Sequence, residues 1–393
     1  MSADNLPLSH IKVLDLTRVR AGPACVRQFA DWGADCIKIE MTGDAGDGYS
    51  DGRDKGDFQN LHRNKRSMKL NLKAPEGKKI FMALAKDADV IVENYRPDVK
   101  NRLGIAYDDV ATINPRIIYA SISGFGQDGP YANRPGVDQI AQGMSGLMSI
   151  TGAPGEGPMR AGAALGDMSA GVFAALGIMM AIIEREKSGK GQWLHTSLLE
   201  ALTTMLDFQA AAWLFDGHVP GQAGNNHPKS IPTGAFRTQD GHINIGAAGD
   251  ISWQRLGKAL KKDEFFNNPA YADGEGRLAH RDTINAGLEE IFMTQPSKHW
   301  VDLLNEAGIP CGPIYKMDQV FDDPQMKHLG LAVDVEHPVV GKRQIVGQPV
   351  HMSRTPWQMR SITPEAGEHT REILQDLGYS EADIDALYAE GVV

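Results

Sequence analysis

The sequence predicts an α/β protein with a parallel sheet in its first half and a smaller α+β domain further along. Two buried strand patterns, residues 11–16 (IKVLDL) and 35–40 (DCIKIE), flank a helical stretch at residues 24–32. This is a β-α-β unit with short connections, which is typical of parallel α/β proteins. In the second half, a hairpin pattern at residues 234–245 is followed by helical patterns, as in an α+β domain.

The elements of the first half follow in alternation. Pro23 fits the first turn of the first helix, and Gly33 ends that helix. A loop rich in Gly and Asp, residues 42–57, is long enough to be functional. Hydrophobic patterns predict strands at residues 67–72, 88–92, 116–122 and 192–196, and helices at residues 75–86 and 198–213.

In the second half, residues 216–230 shift to Gly, Asn, His and Pro and are typical of a linker. The hairpin then turns at Asp240-Gly241. The remaining patterns predict helices at residues 253–259, 278–292 and 297–307, short strands from about residue 333, and two short helices within residues 368–388.

Composition narrows the class of protein. A chain of 393 residues favours two domains, and a net charge of −10 argues against a nucleic-acid-binding protein. Cys25, Cys36 and Cys311 form no CxxC pair, so we expect reduced thiols in a cytoplasmic protein. The polar start has no signal-peptide core. The longest apolar run, residues 171–183, is shorter than the roughly 20 residues that span a bilayer, so we expect a buried helix and no membrane partner.

Asp167 is the main candidate for chemistry. It follows a run of small residues, 161–166 (AGAALG), and precedes a long apolar helical pattern. An aspartate at this place is a favoured helix cap, which needs no reactivity. The small residues also leave room for a ligand, and helix amides favour the ionised form, whose ordinary pKa of about 3.9 makes it fully ionised at neutral pH. Such a carboxylate attacks only an activated acyl group held in place, and the residues alone leave both interpretations open.

Other motifs are weaker. Residues 124–129 (GFGQDG) match the GxGxxG pattern of a nicotinamide-dependent dehydrogenase, but Pro130 follows and no helical pattern opens there. The sequence has no HExxH or GxSxG motif, so we expect neither a metal site nor a serine nucleophile. Basic residues near strand ends are either solvated surface charges or the rim of a phosphate site. They are Arg20, Lys73, Arg96, Arg102 and Arg134.

The chain resembles the class III CoA-transferases of the formyl-CoA:oxalate (CaiB/BaiF) type almost from end to end. The segments that carry the resemblance are 13–40 (VLDLTRVRAGPACVRQFADWGADCIKIE), 64–79 (NKRSMKLNLKAPEGKK), 88–99 (ADVIVENYRPDV), 165–178 (LGDMSAGVFAALGI), 185–192 (REKSGKGQ) and 308–314 (GIPCGPI). The resemblance implies a Rossmann-like large domain, a smaller α+β domain and an interlocked homodimer of ring-like chains. It assigns residues 1–215 to the large domain, 216–232 to a linker, 233–325 to the small domain and 326–393 to a return segment that completes the large domain.

The implied reaction transfers coenzyme A from an acyl-CoA donor to a carboxylic acid acceptor. Asp167 matches the family's nucleophile, which forms an anhydride and then an aspartyl-CoA thioester. Coenzyme A enters as a thioester substrate, and no tightly bound cofactor or metal is needed.

The resemblance also places a coenzyme A site and a substrate loop. The coenzyme A positions are Val19, Arg20, Ala21, Leu70, Lys73, Asn94, Tyr95, Arg96, Arg102 and Arg134. The substrate-loop positions are His227, Gly246, Ala247, Ala248 and Gly249, with a turn-forming role as the alternative for His227.

Some positions depart from the oxalate enzymes. Met41 and Pro135 replace basic residues, the loop at 246–249 is poorer in glycine, and Arg20 replaces a neutral residue. Oxalate itself is therefore not expected. Succinyl-CoA as donor and a dicarboxylate or hydroxy acid as acceptor remain plausible.

Rival functions remain open. The 2-methylacyl-CoA racemase branch of the same superfamily uses a histidine in a GHDxNY-like run. Here the run is 136–141 (GVDQIA), and Val137 cannot transfer a proton. A nucleotide-dependent oxidoreductase rests on the weak glycine motif alone. A non-catalytic acyl-CoA-binding protein leaves Asp167 unexplained.

Overall fold

The computed structural model describes residues 5–43 and 52–393, so part of the loop expected at residues 42–57 lies outside the described residues. The chain forms two compact units. The first contains the described residues up to Leu147 together with Arg160–His218 and Leu329–Val393, and the second contains Met148–Met159 and Val219–His328.

The strands and helices alternate through the first unit and are shorter in the second. The strands are β1 Lys12–Asp15, β2 Asp35–Glu40, β3 Arg66–Lys69, β4 Val90–Glu93, β5 Ile118–Ser123, β6 Gln192–Ser197, β7 Thr233–Arg237, β8 His242–Gly246, β9 Cys311–Pro313, β10 Ala332–His337 and β11 Gly341–Val346. The helices are α1 Ala21–Asp31, α2 Gly56–His62, α3 Pro75–Lys86, α4 Pro97–Leu103, α5 Tyr107–Ala111, α6 Asp138–Met144, α7 Leu147–Ile150, α8 Leu165–Ser188, α9 Leu198–Met205, α10 Phe208–Asp216, α11 Asp250–Leu260, α12 Asp263–Phe266, α13 Gly274–Ala279, α14 Arg281–Phe292, α15 Ser297–Glu306, α16 Met317–Asp322, α17 Pro324–Leu329, α18 Thr370–Asp376 and α19 Glu381–Ala389.

The first unit is built on a six-stranded sheet in the order β3-β2-β1-β4-β5-β6. Every pairing is parallel, and the central strand β1 aligns Val13 with Cys36 on β2 and with Val90 on β4. The strand order reverses between β1 and β4, and ligands of open α/β sheets bind beside such a reversal, at the carboxyl ends of the strands. The predicted parallel α/β sheet is therefore confirmed.

Apolar cores lie on both faces of this sheet. On one face, α1 and α8 bury residues such as Phe29 and Ile178. On the other face, Phe81 of α3 packs with Ile373 of α18 and Ile384 of α19. The C-terminal helices therefore complete the core that the first half of the chain begins, because they cover apolar sheet surface that would otherwise face water.

Helix α8 packs tightly against α1. A Cβ atom on Gly171 would lie 2.6 Å from the carbonyl oxygen of Ala21, so only glycine allows this approach. The helix spans 24 residues, longer than the expected apolar run, and its most apolar 18-residue window has a mean hydropathy of 1.8. Its length and composition would suffice for a membrane span, yet half of that window is buried inside the protein, as in the core helix of a soluble protein.

The second unit contains the antiparallel sheet β7-β8-β9 and a helical layer. Its core includes Phe236, Trp253, Phe292 and Trp300. The predicted hairpin is present, and the Oδ1 atom of Asp240 at its turn accepts hydrogen bonds from Ser297.

Two predicted helices are interrupted. The helix expected over 198–213 is divided into α9 and α10 by Asp207, whose φ of 45° lies outside the helical region. The helix expected over 278–292 breaks at His280 between α13 and α14. Helix α6, by contrast, was not predicted, because residues 136–144 lack a clear apolar period.

Candidate active site

The turn after β1 lies beside the reversal of strand order. Asn94, which follows β4, accepts a hydrogen bond from the Arg18 amide on Oδ1 (2.9 Å) and donates from Nδ2 to the Arg18 carbonyl (2.7 Å). Val19, which follows Arg18, has a φ of 65°, a backbone conformation that is strained for a β-branched residue. Asn94 therefore joins the turns that follow β1 and β4, and strain of this kind often marks a functional site.

A buried ion pair between Lys65 and Asp15 stabilises the start of this turn. The Lys65 ammonium lies 2.8 Å from an Asp15 carboxylate oxygen, and both side chains are fully buried. Burial alone would raise the pKa of Asp15, but Lys65 and Lys38 hold that pKa below its ordinary value. Asp15 also accepts a hydrogen bond from the Thr17 amide (2.9 Å), so the charged pair fixes the start of the turn.

Asp167 lies in the first turn of α8 as the third residue of the helix. Of the two interpretations left open for this residue, the helix cap is wrong, because the helix begins two residues earlier and Ala164 occupies the cap position without a side-chain hydrogen bond. The glycine and alanine run before it therefore ends inside the helix. This leaves the Asp167 carboxylate half-buried, with its backbone held by the helix.

The acidity of Asp167 also differs from the expectation. Burial, and then the negative charge of Asp138, raise the pKa of Asp167 to about 6, whereas Arg20 acts in the opposite direction. These two effects outweigh the helix amides that favour the ionised form. At pH 7 the carboxylate is still mainly ionised, and it is more basic than an ordinary aspartate.

Arg20, whose charge acts on Asp167, forms an ion pair with Asp57 on helix α2. Its guanidinium nitrogens lie 2.9 and 2.7 Å from the two carboxylate oxygens of Asp57, a bidentate geometry. The pair is partly exposed, so water screens it and a competing anion has access to it. Arg20 thus presents a cation within electrostatic reach of the Asp167 carboxylate.

A cavity of about 950 Å³ lies beside the carboxyl ends of β2 and β3 and the start of α3. Four of the ten predicted coenzyme A positions line it: Leu70, Lys73, Tyr95 and Arg102. Sequence reasoning missed other lining residues, notably Arg18 and Lys78. Cations and the amino end of a helix make this a favourable place for phosphate groups.

The other predicted coenzyme A positions do not line this cavity. Val19, Arg20 and Ala21 form the turn after β1 and the start of α1. The side-chain amide of Asn94 is occupied by the Arg18 backbone. Arg96 is exposed at the start of α4, and the Arg134 guanidinium lies 3.7 Å from the centre of the Tyr131 ring.

A second buried pair, which sequence reasoning also missed, supports the turn after β4. The Lys100 ammonium lies 2.8 Å from Glu93 and 3.0 Å from the Ser121 hydroxyl. Glu93 accepts the Tyr95 amide hydrogen bond at 2.8 Å. A lysine and a glutamate seven residues apart, on a helix and at the end of a strand, give no periodic signal in the sequence.

The substrate-loop positions lie in the second unit. The Nδ1 atom of His227 accepts hydrogen bonds from the Lys229 and Ser230 amides at 3.2 and 3.0 Å, which is the geometry of a turn-forming histidine. Ala247 is fully buried in the core of this unit, whereas Ala248 and Gly249 are exposed. Gly246 ends β8, and Gly249, with a φ of 83°, precedes α11. Of the four loop residues, Gly246 therefore belongs to strand β8 and Ala247 to the core of the second unit.

The structure also describes the glycine turn on which the rival oxidoreductase function depends. The glycine turn at residues 124–129 is closed by Ser123, whose hydroxyl bonds to the Gly126 amide and carbonyl, and the next helix begins only at Asp138. A dinucleotide fingerprint would open a helix directly, so the oxidoreductase is not favoured. Within residues 5–43 and 52–393, no group of three or more histidine, cysteine or acidic side chains is arranged to hold a metal ion.

Comparisons with known proteins agree in family. The family model for CoA-transferase family III matches residues 8–370. Succinyl-CoA:glutarate CoA-transferase of Homo sapiens is 37% identical over 394 residues, covering 98% of this chain and 90% of the relative. Acetyl-CoA:oxalate CoA-transferase of Acetobacter aceti is 38% identical over 324 residues, covering 81% and 83%. The crystal structure of a CAIB/BAIF family protein from Brucella suis has a TM-score of 0.81 at 33% identity, covering 95% of this chain and 100% of that one.

The similarity extends through both units and includes every segment that carries a site residue. Relatives named as CoA-transferases favour neither the racemase nor the oxidoreductase. The match of residues 8–370 and the identity of more than 30% over most of the chain lead to one assignment: the chain belongs to CoA-transferase family III and is a CoA-transferase.

Proposed function

We propose that the protein transfers coenzyme A from an acyl-CoA donor to a carboxylic acid acceptor through covalent intermediates on Asp167. The observation that carries this proposal is the state of that carboxylate. It is half-buried in the first turn of α8, and its pKa is raised to about 6. Because nucleophilic strength increases with basicity, such an aspartate attacks an acyl group better than an ordinary one, and it is still ionised at neutral pH.

The proposed reaction has two symmetrical halves. An Asp167 carboxylate oxygen attacks the thioester carbonyl, the carbon–sulfur bond breaks, and the coenzyme A thiolate departs. The donor acyl group is then joined to Asp167 as a mixed anhydride. The thiolate then attacks the aspartyl carbonyl, and the donor acid leaves as its carboxylate. The acceptor carboxylate attacks the aspartyl thioester and releases the thiolate, which attacks the acceptor carbonyl. Asp167 is then regenerated as a carboxylate, with no net proton transfer.

The cavity beside α3 is proposed to hold the nucleotide end of coenzyme A. Arg18, Lys73, Lys78 and Arg102 line it and match the negative charge of the phosphates. Arg18 also lies two residues from Arg20, whose charge acts on Asp167. The turn after β1 therefore runs between the proposed nucleotide site and the reactive carboxylate. No metal or tightly bound cofactor enters the proposal, since each step exchanges one acyl linkage for another.

A dicarboxylate is the proposed acceptor class. The two relatives described above are named for glutarate and oxalate, which are both dicarboxylates, together with succinyl-CoA and acetyl-CoA. In this chain Arg20 is the cation that acts on Asp167, and its present partner Asp57 is partly exposed. A carboxylate at the far end of the substrate has the same bidentate geometry as Asp57 and is proposed to take its place.

One experiment tests the nucleophile and the substrate class together. The purified protein is given succinyl-CoA or acetyl-CoA with glutarate, oxalate or a monocarboxylate, and new CoA esters are measured by mass spectrometry. We expect transfer to a dicarboxylate, complete loss in Asp167→Asn, and an Asp167 hydroxamate when hydroxylamine is added with the donor. The matched control is Asp108→Asn, because Asp108 also lies in the first turn of a helix but is exposed. Transfer that persists in Asp167→Asn contradicts the covalent mechanism.

The assembly of the protein is also a proposal. We propose an interlocked homodimer with a Rossmann-like large domain, a linker at 216–232 and a small domain at 233–325. The strand order of the main sheet supports the Rossmann-like description. An exposed apolar stripe on α8, which includes Leu176 and Met180, supports association. The three cysteines are free, which fits the proposed cytoplasmic location.

A further inference from the structure

Two side chains of α6 hold the segment that leads into Asp167. Asp138 Oδ1 accepts a hydrogen bond from the Gly166 amide at 2.8 Å, and Asp138 Oδ2 accepts one from Gln142 at 2.7 Å. Gln142 also accepts from the Ala161 amide at 2.9 Å and donates to the Ala163 carbonyl at 3.1 Å. Asp138 and Gln142, one helical turn apart, therefore bind three backbone groups within residues 161–166.

These contacts are buried, although the segment that they hold is largely exposed. Gln142 is fully buried and Asp138 is 7% exposed, whereas residues 161–165 are half-buried or exposed. Small residues offer few side-chain contacts of their own to fix this segment. The backbone before the nucleophile is thus held mainly by two polar side chains, which we call the Asp138–Gln142 clamp.

Gly166 is the point at which the clamp meets the nucleophile. It directly precedes Asp167, and a Cβ atom at Gly166 would lie 3.0 Å from Asp138 Oδ1. The absence of a side chain allows the carboxylate of Asp138 to reach the peptide amide. Any movement of Asp138 is therefore transmitted to the residue next to Asp167 through a single hydrogen bond.

The clamp also acts through charge. Asp138 is the largest charge effect on Asp167, and it raises the pKa of that carboxylate, whereas Arg20 lowers it. Arg160 lies 3.7 Å from Asp138 and partly neutralises it, but its side chain is half exposed. On α9, which packs against both α6 and α8, Glu200 is bonded to Ser197. Burial has the largest effect on the pKa of Asp167, and the negative charge of Asp138 raises that pKa further.

We propose that Asp138 and Gln142 are positioning residues for the transfer reaction. Gln142 fixes the backbone at Ala161 and Ala163, in the segment that leads into the nucleophile. Asp138 fixes the Gly166 amide, next to the nucleophile, and places a negative charge near it. The inference rests on the proposed role of Asp167 as nucleophile. Neither residue touches the acyl group in this proposal, because both act through the backbone of residues 161–166.

Two variants separate position from charge. Asp138→Asn keeps an acceptor oxygen for the Gly166 amide but removes the charge, so the pKa of Asp167 is expected to fall by about one pH unit. Gln142→Met removes the backbone hydrogen bonds and keeps the charge. We expect its kcat to fall about 10- to 100-fold with little change in KM for the donor. Asp108→Asn is the control for loss of an aspartate in the first turn of a helix.

The pKa is read directly by carbon-13 NMR of labelled aspartate carboxyls, with Asp167→Asn identifying the signal. The acid limb of the kcat/KM profile is measured in parallel and is expected to move with it. An Asp167 pKa that is unchanged in Asp138→Asn overturns the charge role, and a wild-type kcat in Gln142→Met overturns the positioning role. If Asp138→Asn does not fold, as judged by thermal melting, Gln142→Met alone decides the proposal. A wild-type protein that transfers no CoA refutes the proposed function, while the NMR titration still tests the clamp.

Discussion

At the scale of single residues, the site is defined by charges that oppose one another around Asp167. Burial and then Asp138 raise the pKa of this carboxylate, whereas Arg20 lowers it, and together they leave the pKa at about 6. Arg20 itself is shared with Asp57. In the proposed reaction, a substrate carboxylate that displaced Asp57 would change the field at Asp167, so substrate binding would alter the basicity of Asp167 through the Arg20 guanidinium.

The raised pKa of Asp167 predicts that the ionised Asp167 carboxylate lowers the stability of the fold. Between its ordinary value of 3.8 and about 6, the folded protein binds the Asp167 proton more tightly than the unfolded chain does. The stability contributed by this group is therefore present at acid pH and lost as the pH rises through about 6. Asp167→Asn removes this cost, so we expect its free energy of unfolding at pH 8 to exceed that of the wild type by about 2 kcal/mol, after discounting for partial exposure.

Urea denaturation at pH 8 and pH 5 measures this difference. We expect the gain in Asp167→Asn to shrink at pH 5, where the wild-type carboxyl is mostly protonated. Asp108→Asn, at an exposed position, controls for the substitution itself. Equal stability of Asp167→Asn and wild type at pH 8 would show that the site imposes no such cost.

At the scale of elements, the lysines near the two ends of α3 differ in their surroundings. Lys73, just before α3, and Lys78, near its start, line the proposed nucleotide cavity. Lys86 lies in the last turn of α3 and is exposed. Because phosphate contacts hold the substrate without touching the reacting carbonyl, a Lys73→Ala, Lys78→Ala double variant is expected to raise KM for the acyl-CoA about tenfold or more and leave kcat nearly unchanged.

Steady-state kinetics with a full-length acyl-CoA and with the matching acyl-pantetheine, which lacks the nucleotide, measure this effect. The double variant and the wild type are expected to use acyl-pantetheine equally. Lys86→Ala is the matched control and keeps the wild-type KM for both substrates. An increase in KM for acyl-pantetheine as well would place these lysines elsewhere than at the nucleotide.

Elements with strong periodic patterns could be predicted from the sequence. The strand at residues 35–40 and the helix at residues 75–86 have the expected bounds, because buried β-branched runs and a proline-started amphipathic helix are distinct signals. Helix α6 could not be predicted, because Asp138 and Gln142 make their hydrogen bonds to backbone groups 19 to 28 residues away, which no local pattern shows. The role of Asp167 remains a prediction from the sequence, and the effect of its neighbours on its pKa depends on packing that no local pattern encodes.

At the scale of the whole molecule, the chain leaves apolar surface that its described residues do not cover. One side of α8 carries Val172, Leu176, Met180 and Ile183 at spacings of three or four residues, each about half exposed. Phe215 at the end of α10 is 91% exposed. Contiguous apolar surface of this kind marks protein interfaces, so it supports the proposed homodimer. Such a homodimer can be built from interlocked rings or from two subunits placed side by side.

Subunit exchange distinguishes these two assemblies. Interlocked rings cannot separate unless one chain unfolds, so tagged and untagged dimers mixed under native conditions are expected to remain homodimers. Denaturation in guanidinium followed by refolding of the same mixture is expected to yield heterodimers, because both chains then fold together. Native mass spectrometry counts the three species. Heterodimers that form within hours without denaturant would contradict interlocking but keep the dimer, and a chain that remains monomeric at micromolar concentration would contradict both.

The double variant Leu176→Glu, Met180→Glu tests whether the apolar stripe of α8 is the interface. These exposed positions tolerate charge in a lone chain, so reduced dimer formation on refolding is expected only if this stripe is buried between subunits.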